Sequence, residues 1–118
     1  MKTLIIFNRQ PYDGSDVAWN GLRLAENLHK RGETVRIFLM NDSVDLAREC
    51  AAVSAGYDHD LGAMLRGLYR DGVALKVCGT CQARCGLYKN EPYFAPEVKG
   101  TMNDLGDWVL ECDRVLSF

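Results

Sequence analysis

Four short apolar runs, spaced along the chain by amphipathic segments, most constrain how this sequence of 118 residues can fold. They cover residues 3–7, 34–40, 73–77 and 114–118. The runs are rich in branched side chains, which is typical of strands buried on both faces of a parallel sheet. Strands that alternate with helices predict an α/β fold with a mainly parallel sheet.

The segments between these runs carry the capping residues and apolar periodicity of helices. Ser15 or Asp16 opens the first helix, Asp42 or Ser43 the second and Asp60 the third. The motif T-x-x-D at residues 101–104 is close to a capping box and opens the fourth helix. The apolar stripes that we predict are Val17, Gly21, Leu24 and Leu28; Leu46, Cys50 and Val53; Leu61, Met64, Leu65 and Leu68; and Leu105, Trp108, Val109 and Cys112.

Together these elements predict one domain over residues 1–118, long enough to bury a core of its own. We expect a mainly parallel sheet of four to five strands with helices on both faces, a flavodoxin-like three-layer sandwich. In such sheets functional groups gather beyond the carboxyl ends of the strands. Asn8, Asp42 and Cys78 each follow a predicted strand, so we expect them to meet at one rim.

Composition excludes several classes of function. The net charge of −2 argues against an electrostatic nucleic-acid binder, so we expect no stable contact with nucleic acid. No apolar stretch approaches the length of a membrane span, and the N-terminal apolar run is too short for a secretory leader. We therefore expect a cytoplasmic protein without a disulfide scaffold. Cys50 and Cys112, on apolar stripes, are expected to be buried and inert.

The segment KVCGTCQARCGL places the other three cysteines, Cys78, Cys81 and Cys85, within eight residues. A structural zinc site usually takes four ligands, and this segment supplies one C-x-x-C pair and one further cysteine. Cys78 and Cys81 are also spaced as a dithiol redox pair. The thioredoxin-like motif opens a helix, however, and Gly79 and Thr80 are poor helix formers.

A sulfur carrier is the remaining interpretation of this segment. A nucleophilic thiolate at a strand end can accept a sulfur atom as a persulfide and pass it on. Gly79 and Gly86 would let a second protein surface approach, and Arg84 would stabilise the anion. Residue chemistry by itself does not choose between the sulfur carrier and the redox pair.

The chain resembles the DsrE/TusD branch of the sulfur-relay proteins, the DsrE/DsrF-like family, nearly from end to end. The matching segments are IIFNRQPYDGSDVAWNGLRLAENL, VRIFLMNDSVDLA, GVALKVCGTCQARCGL and LECDRVLSF. The most specific of these features are GVALKVC followed by Arg84 and Gly86, and the terminal CDRVLSF.

The resemblance implies a sulfurtransferase-type subunit that exchanges sulfur with donor and acceptor proteins. The family's persulfide-bearing cysteine matches Cys78, and its members assemble as trimers or hexamers of one or several kinds of subunit. Their sulfur goes to the wobble uridine of certain tRNAs or to sulfur oxidation. This chain adds Cys81 and Cys85 to the pattern, as resolving or auxiliary thiols. The alternative is an oligomeric regulatory protein whose three thiols form a redox or zinc switch.

Overall fold

The computed structural model describes all of residues 1–118 and contains one five-stranded parallel sheet. Its strands are β1 (Lys2–Phe7), β2 (Thr34–Leu39), β3 (Ala74–Cys78), β4 (Lys99–Gly100) and β5 (Arg114–Ser117). Across the sheet they stand in the order β4-β3-β2-β1-β5. The four predicted strands and the parallel sheet are confirmed, and β4 is a short fifth strand.

Four α-helices and two 3-10 helices connect the strands. The α-helices are α1 (Val17–Lys30), α2 (Leu61–Arg70), α3 (Cys81–Arg84) and α4 (Met102–Glu111), and the 3-10 helices are Asn41–Ala47 and Pro96–Val98. From β1 to β4 each strand is laid beside the previous one, whereas β5 returns to the far side of β1. This reversal places α4 on the opposite face of the sheet from α1 and α2.

The two faces of the sheet are covered unequally. Ile5, Ile37 and Val77 point to what we call the two-helix face, where they join a cluster of 21 buried residues that includes α1 and α2. Leu4 and Phe38 point to the one-helix face, where they meet Leu105 of α4 in a cluster of three buried residues. Helices on both faces, as predicted, therefore come with very different depths of core.

Local capping follows the sequence at two of the four predicted helix starts. The Asp60 side chain accepts from the Ala63 N–H at 3.0 Å and caps α2. Thr101 and Asp104 form a reciprocal capping box at the start of α4. Helix α1 has Asp16 at its N-cap without a side-chain hydrogen bond, while Ser15, one residue earlier, accepts from the Val17 N–H at 3.3 Å.

The predicted second α-helix is wrong. A 3-10 helix ends at Ala47, and Arg48 is extended (φ −66°, ψ 134°) where it pairs with Tyr93 in an isolated antiparallel bridge. Arg48 is fully buried and ion-paired with Asp45, a contact that takes precedence over helix propensity. As a result Cys50 and Val53, assigned to an apolar stripe, are exposed.

Of two further expectations on the last predicted stripe, one is confirmed and one is wrong. Cys112 packs against the cluster on the one-helix face, as predicted, and its burial raises the pKa of its thiol. Val109, assigned to the same stripe, is instead exposed. None of the helices combines the length and the apolar character that crossing a membrane requires.

Candidate functional site

The carboxyl ends of three strands are linked by a chain of side-chain hydrogen bonds. The Asn41 side chain donates to Asn8 Oδ1 at 2.9 Å, and the Asn8 side chain donates to Ser117 Oγ at 3.0 Å. Asn41 lies just after β2, Asn8 directly follows β1, and Ser117 is the last residue of β5. The Asn41 N–H also donates to Cys81 Sγ at 3.3 Å, which connects this rim to the cysteine segment. The predicted meeting of separate segments at one rim is present.

Cys78 is the last residue of β3. The connections that follow β3 and its neighbour β4 leave the sheet toward opposite faces. After β3 the chain turns to the two-helix face through α3, whereas after the neighbouring β4 it turns to the one-helix face through α4. The Gly79 N–H donates to Gly100 O at 2.9 Å between these two exits. Such a switch point is where α/β sheets usually bind their ligands.

The surroundings of Cys78 hold its backbone and leave its sulfur partly accessible. The Tyr93 hydroxyl donates to the Cys78 carbonyl at 2.7 Å. The Cys81 N–H donates to Cys78 Sγ at 3.4 Å. The side chain is half-buried and touches the cores of both faces.

Cys81 is in a different environment, although it lies three residues further along the chain. It is 9% exposed and belongs to the core of the two-helix face. Burial, followed by hydrogen bonding to the Cys78 side chain, raises the pKa of the Cys81 thiol to about 12. Cys85 also contributes to this shift through its side chain, and its N–H donates to Cys81 O at 2.9 Å. The three thiols are therefore together, with Cys81 in the middle and protonated.

The backbone after β3 contradicts one expectation from the sequence. The low helix propensity of Gly79 and Thr80 predicts that no helix follows the strand, which argues against a thioredoxin-like redox motif. The backbone of Thr80 is nevertheless helical (φ −63°, ψ −39°), and Cys81 opens the single turn of α3. The turn is held by Arg48 from below, so intrinsic propensity does not decide its conformation.

Arg48 is the main support of the cysteine segment. Its guanidinium is fully buried and donates to Gln82 O at 2.9 Å, Cys85 O at 3.0 Å and Glu91 O at 2.6 Å. It also lies 5.1 Å from the centre of the Tyr93 ring, whose hydroxyl holds the Cys78 carbonyl. A single buried cation thus fixes both ends of the loop that follows α3.

Two carboxylates on the 3-10 helix Asn41–Ala47 support the same loop from its other side. Asp45, ion-paired with Arg48 at 3.3 Å, accepts from the Leu87 N–H at 2.7 Å, and Asp42 accepts from the Gly86 N–H at 2.9 Å. Gly86 has φ +83°, and a Cβ there would lie 2.2 Å from Asp45 Oδ1. The predicted rim residues Asp42 and Gly86 are therefore in contact, and Gly86 is required by close packing.

Gly79 and Arg84 have different surroundings. A Cβ at Gly79 would lie 3.0 Å from Lys99 Cγ, so a small residue fits closely between β3 and β4. Arg84 is exposed at the end of α3, and none of the ion pairs in the chain involves it. No hydrogen bond joins it to Cys78.

Reasoning from the sequence missed Asp45, Arg48 and Tyr93. The first two are the only buried charged side chains, and they stand three apart in the apolar segment VDLAREC. Opposite charges at that spacing inside an apolar run are the feature that points to a buried pair. Tyr93 carries no comparable pattern, and only its hydroxyl contact with Cys78 identifies it.

The structure contains no group of three or more His, Cys, Asp or Glu side chains arranged to hold a metal ion.

Comparison with known proteins gives consistent results over the whole chain. The sequence profile of the DsrE/DsrF-like family matches residues 1–118. Protein YchN of Escherichia coli K12 is 34% identical over 119 residues, which cover 99% of this chain and 98% of the relative. The uncharacterized protein MJ0989 of Methanocaldococcus jannaschii is 32% identical, with complete coverage of both chains. The crystal structure of YchN superimposes with a TM-score of 0.81 at 32% identity, covering 100% of this chain and 99% of that one.

Proposed function

The chain belongs to the DsrE/DsrF-like family, and from that premise we propose that it is a sulfur carrier that receives sulfur as a persulfide on Cys78 and passes it to a partner protein. The observation that carries the proposal is the contrast at the end of β3. Both sulfurs accept from a backbone N–H, but the Cys78 sulfur is partly accessible, whereas burial holds the Cys81 thiol neutral.

In the loading step the Cys78 thiolate attacks the outer sulfur of a persulfide on the donor. A bond forms between Cys78 Sγ and that outer sulfur as the donor's own sulfur–sulfur bond breaks. The donor leaves as a thiolate, so no oxidant or reductant is consumed. The Cys81 N–H, 3.4 Å from Cys78 Sγ, stabilises the sulfur when it carries negative charge.

In the unloading step the thiolate of an acceptor attacks the outer sulfur of the Cys78 persulfide. The acceptor becomes a persulfide and Cys78 returns as a thiolate, which balances the cycle. The leaving thiolate is the same anion that attacked in the first step. One hydrogen-bond donor therefore serves both directions of transfer.

Cys81 determines how long the persulfide lasts. If its thiolate attacked the inner sulfur, a Cys78–Cys81 disulfide would form and hydrosulfide would be released. With a pKa of about 12, only roughly one Cys81 in 10⁵ is a thiolate at pH 7. In this proposal Cys81 is a slow resolving thiol, Cys85 is auxiliary, and exposed Arg84 supports the anion of an incoming donor.

The finer features of the family complete the proposal. We place the protein in the cytoplasm as a sulfurtransferase-type subunit of a homotrimer, a homohexamer or an assembly with related subunits. Its donor and acceptor are other proteins of a sulfur relay, and zinc is not part of the cycle.

Loading of Cys78 is tested by intact-protein mass spectrometry after incubation with a cysteine desulfurase and cysteine. We expect one adduct of about 32 Da, the mass of a sulfur atom, which a reducing agent removes. Cys78→Ser should lose the adduct, whereas the matched variant Cys50→Ser, which changes an exposed cysteine, should keep it. An adduct that persists in Cys78→Ser would overturn the assignment.

A second candidate, a redox switch, is favoured by the contact between Cys78 and Cys81. A disulfide reagent would exchange with Cys78, and Cys81 would then displace the reagent's thiol to form the internal disulfide. Peptide mapping after incubation with glutathione disulfide distinguishes the two. Rapid formation of the internal disulfide at neutral pH favours the switch, and a stable mixed disulfide on Cys78 favours the carrier.

A further inference from the structure

A closed loop of residues 82–90, which we call the basic loop, follows the thiol cluster. The Asn90 N–H donates to Gln82 O at 2.8 Å and closes it, while Arg48 binds the Gln82 and Glu91 carbonyls at its two ends. Asp42 and Asp45 hold Gly86 and Leu87 from beneath. The loop is therefore ordered before any partner arrives, which lowers the entropy cost of binding.

The exposed surface of the basic loop is cationic and apolar. Arg84 and Lys89 are exposed, and Leu87 between them is 77% exposed. Residues 72–90 contain three cations, Lys76, Arg84 and Lys89, and no acid. The rest of the chain then carries 11 of the 14 cations and all 16 acids, a net charge of −5, although the whole chain is at −2. The basic loop itself thus carries two exposed cations, Arg84 and Lys89, and no acid, and exposed Glu91 follows it directly.

A cavity of about 220 Å³ opens beside the basic loop, with Gln82 in its wall. Its lining is Gln82, Pro92, Tyr93, Ala95, Pro96 and Lys99. The Lys99 side chain forms no ion pair, and the buried Gln82 Oε1 accepts no hydrogen bond. The cavity thus offers apolar walls, a cation and an unpaired acceptor, and it is the size of one side chain.

We propose that the basic loop and this cavity dock an extended acidic segment of the protein that exchanges sulfur with Cys78. An apolar side chain of the segment enters the cavity and a backbone N–H donates to Gln82 Oε1. Carboxylates lie near Lys89 and Lys99. The proposal rests on the proposed function for the identity of the partner, and on charge and hydrogen-bond complementarity for its chemistry.

The test uses a fluorescent peptide of alternating Glu and Asp around one Leu, without cysteine, and its counterpart with Lys in place of each acid. Anisotropy should show binding of the acidic peptide and none of the basic one. The double variant Lys89→Glu/Lys99→Glu should weaken binding roughly tenfold at low salt. Salt of about 1 M, where the Debye length is about 3 Å, should weaken it similarly.

The matched control is Lys2→Glu/Lys30→Glu, which makes the same change in net charge at the opposite end of the sheet. It should bind like the parent protein. Leu87→Ser, a change at an exposed position, should weaken binding without affecting the fold. Equal binding by the two double variants, or binding of the basic peptide, would overturn the proposal. A single-stranded RNA oligonucleotide that binds more tightly than the acidic peptide would also overturn it.

Loading of Cys78 from free cysteine persulfide separates this proposal from the carrier function. Lys89→Glu/Lys99→Glu should gain the adduct of one sulfur at the parent's rate, because neither side chain forms a hydrogen bond with Cys78 Sγ. If no protein gains the adduct while the peptide binds as described, the carrier function fails and the docking surface stands. If the adduct forms but Lys89→Glu/Lys99→Glu binds the acidic peptide as tightly as the parent protein does, the proposed docking surface is wrong.

Discussion

The two faces of the sheet differ in how deeply they are covered, and the two central thiols differ in the same way. On the two-helix face α1, α2 and α3 close a continuous core that takes in Cys81. On the one-helix face α4 alone covers Leu4 and Phe38, and Cys78 lies partly open at its edge. Two thiols three residues apart therefore experience different solvation. Depth of burial, more than sequence position, assigns their chemistry.

The largest expected effect is on thiol reactivity. At pH 8 a thiol of pKa about 12 is ionised in roughly one molecule in 10⁴, so we expect iodoacetamide to alkylate Cys78 at least about a hundredfold faster than Cys81. The Cys81 rate should rise about tenfold per pH unit, because the thiolate fraction does. Peptide mapping over time measures both rates. Equal rates in the folded protein would remove the distinction, and rates in urea should converge.

Next in size is the buried ion pair that supports the two-helix side of the site. Arg48→Met should destabilise folding by about 3–5 kcal/mol, because it leaves the Asp45 carboxylate buried without its cation. Urea unfolding measures the change. The double variant Arg48→Met/Asp45→Asn, which removes both buried charges, should recover part of the lost stability. The control Arg114→Met, at the exposed pair with Glu33, should leave stability unchanged.

A matched pair of core truncations tests the difference in depth directly. Leu65→Ala, in α2 against the large cluster, should cost about 3–4 kcal/mol, whereas Leu105→Ala, in α4 against the small one, should cost about 2 kcal/mol. The larger cavity forms at Leu65, because more packed side chains surround it and they cannot move to fill the space that the truncation leaves. Chemical denaturation compares the two, and a greater loss from Leu105→Ala would contradict the comparison.

The smallest effect concerns how the helices on the two faces begin. Helix α4 has the capping box of Thr101 and Asp104, so Thr101→Ala should cost about 1 kcal/mol and Thr101→Ser should restore it. Helix α1 has no side-chain cap at Asp16, so Asp16→Ala should have no measurable effect on stability. Thermal unfolding distinguishes them. A loss at Asp16 equal to that at Thr101 would show that α1 also depends on its cap.

Most of the fold could be predicted from local sequence patterns, because the spacing of apolar residues and the residues at helix starts indicate strands and helices directly. The branched runs predicted β1, β2, β3 and β5, and the motif T-x-x-D predicted the start of α4. The apolar spacing of Leu46, Cys50 and Val53 failed as a helix, because the Asp45–Arg48 pair ends the helix for a tertiary reason. Apolar periodicity gives no sign that Arg48 is buried, because the carbonyls that accept its hydrogen bonds lie far away in the sequence.

The site was predictable only in outline. A cysteine at the end of a parallel strand marks the edge of the sheet where ligands usually bind, so the positions of Cys78 and of the rim residue Asn8 at that edge could be predicted. The roles of Arg48 and Tyr93 could not, because they act through contacts with residues 15 to 43 positions away.

By itself the sequence determined the alternation of strands and helices, the parallel sheet, and the placement of Cys78 at a strand end, since these follow from local hydrophobic period. Tertiary structure decided what the thiols are. Cys81 and Cys78 share one motif, and only the packing of α3 into the deeper face desolvates one sulfur and leaves the other accessible. Solvation depends on every element that surrounds a group, and no local pattern encodes it.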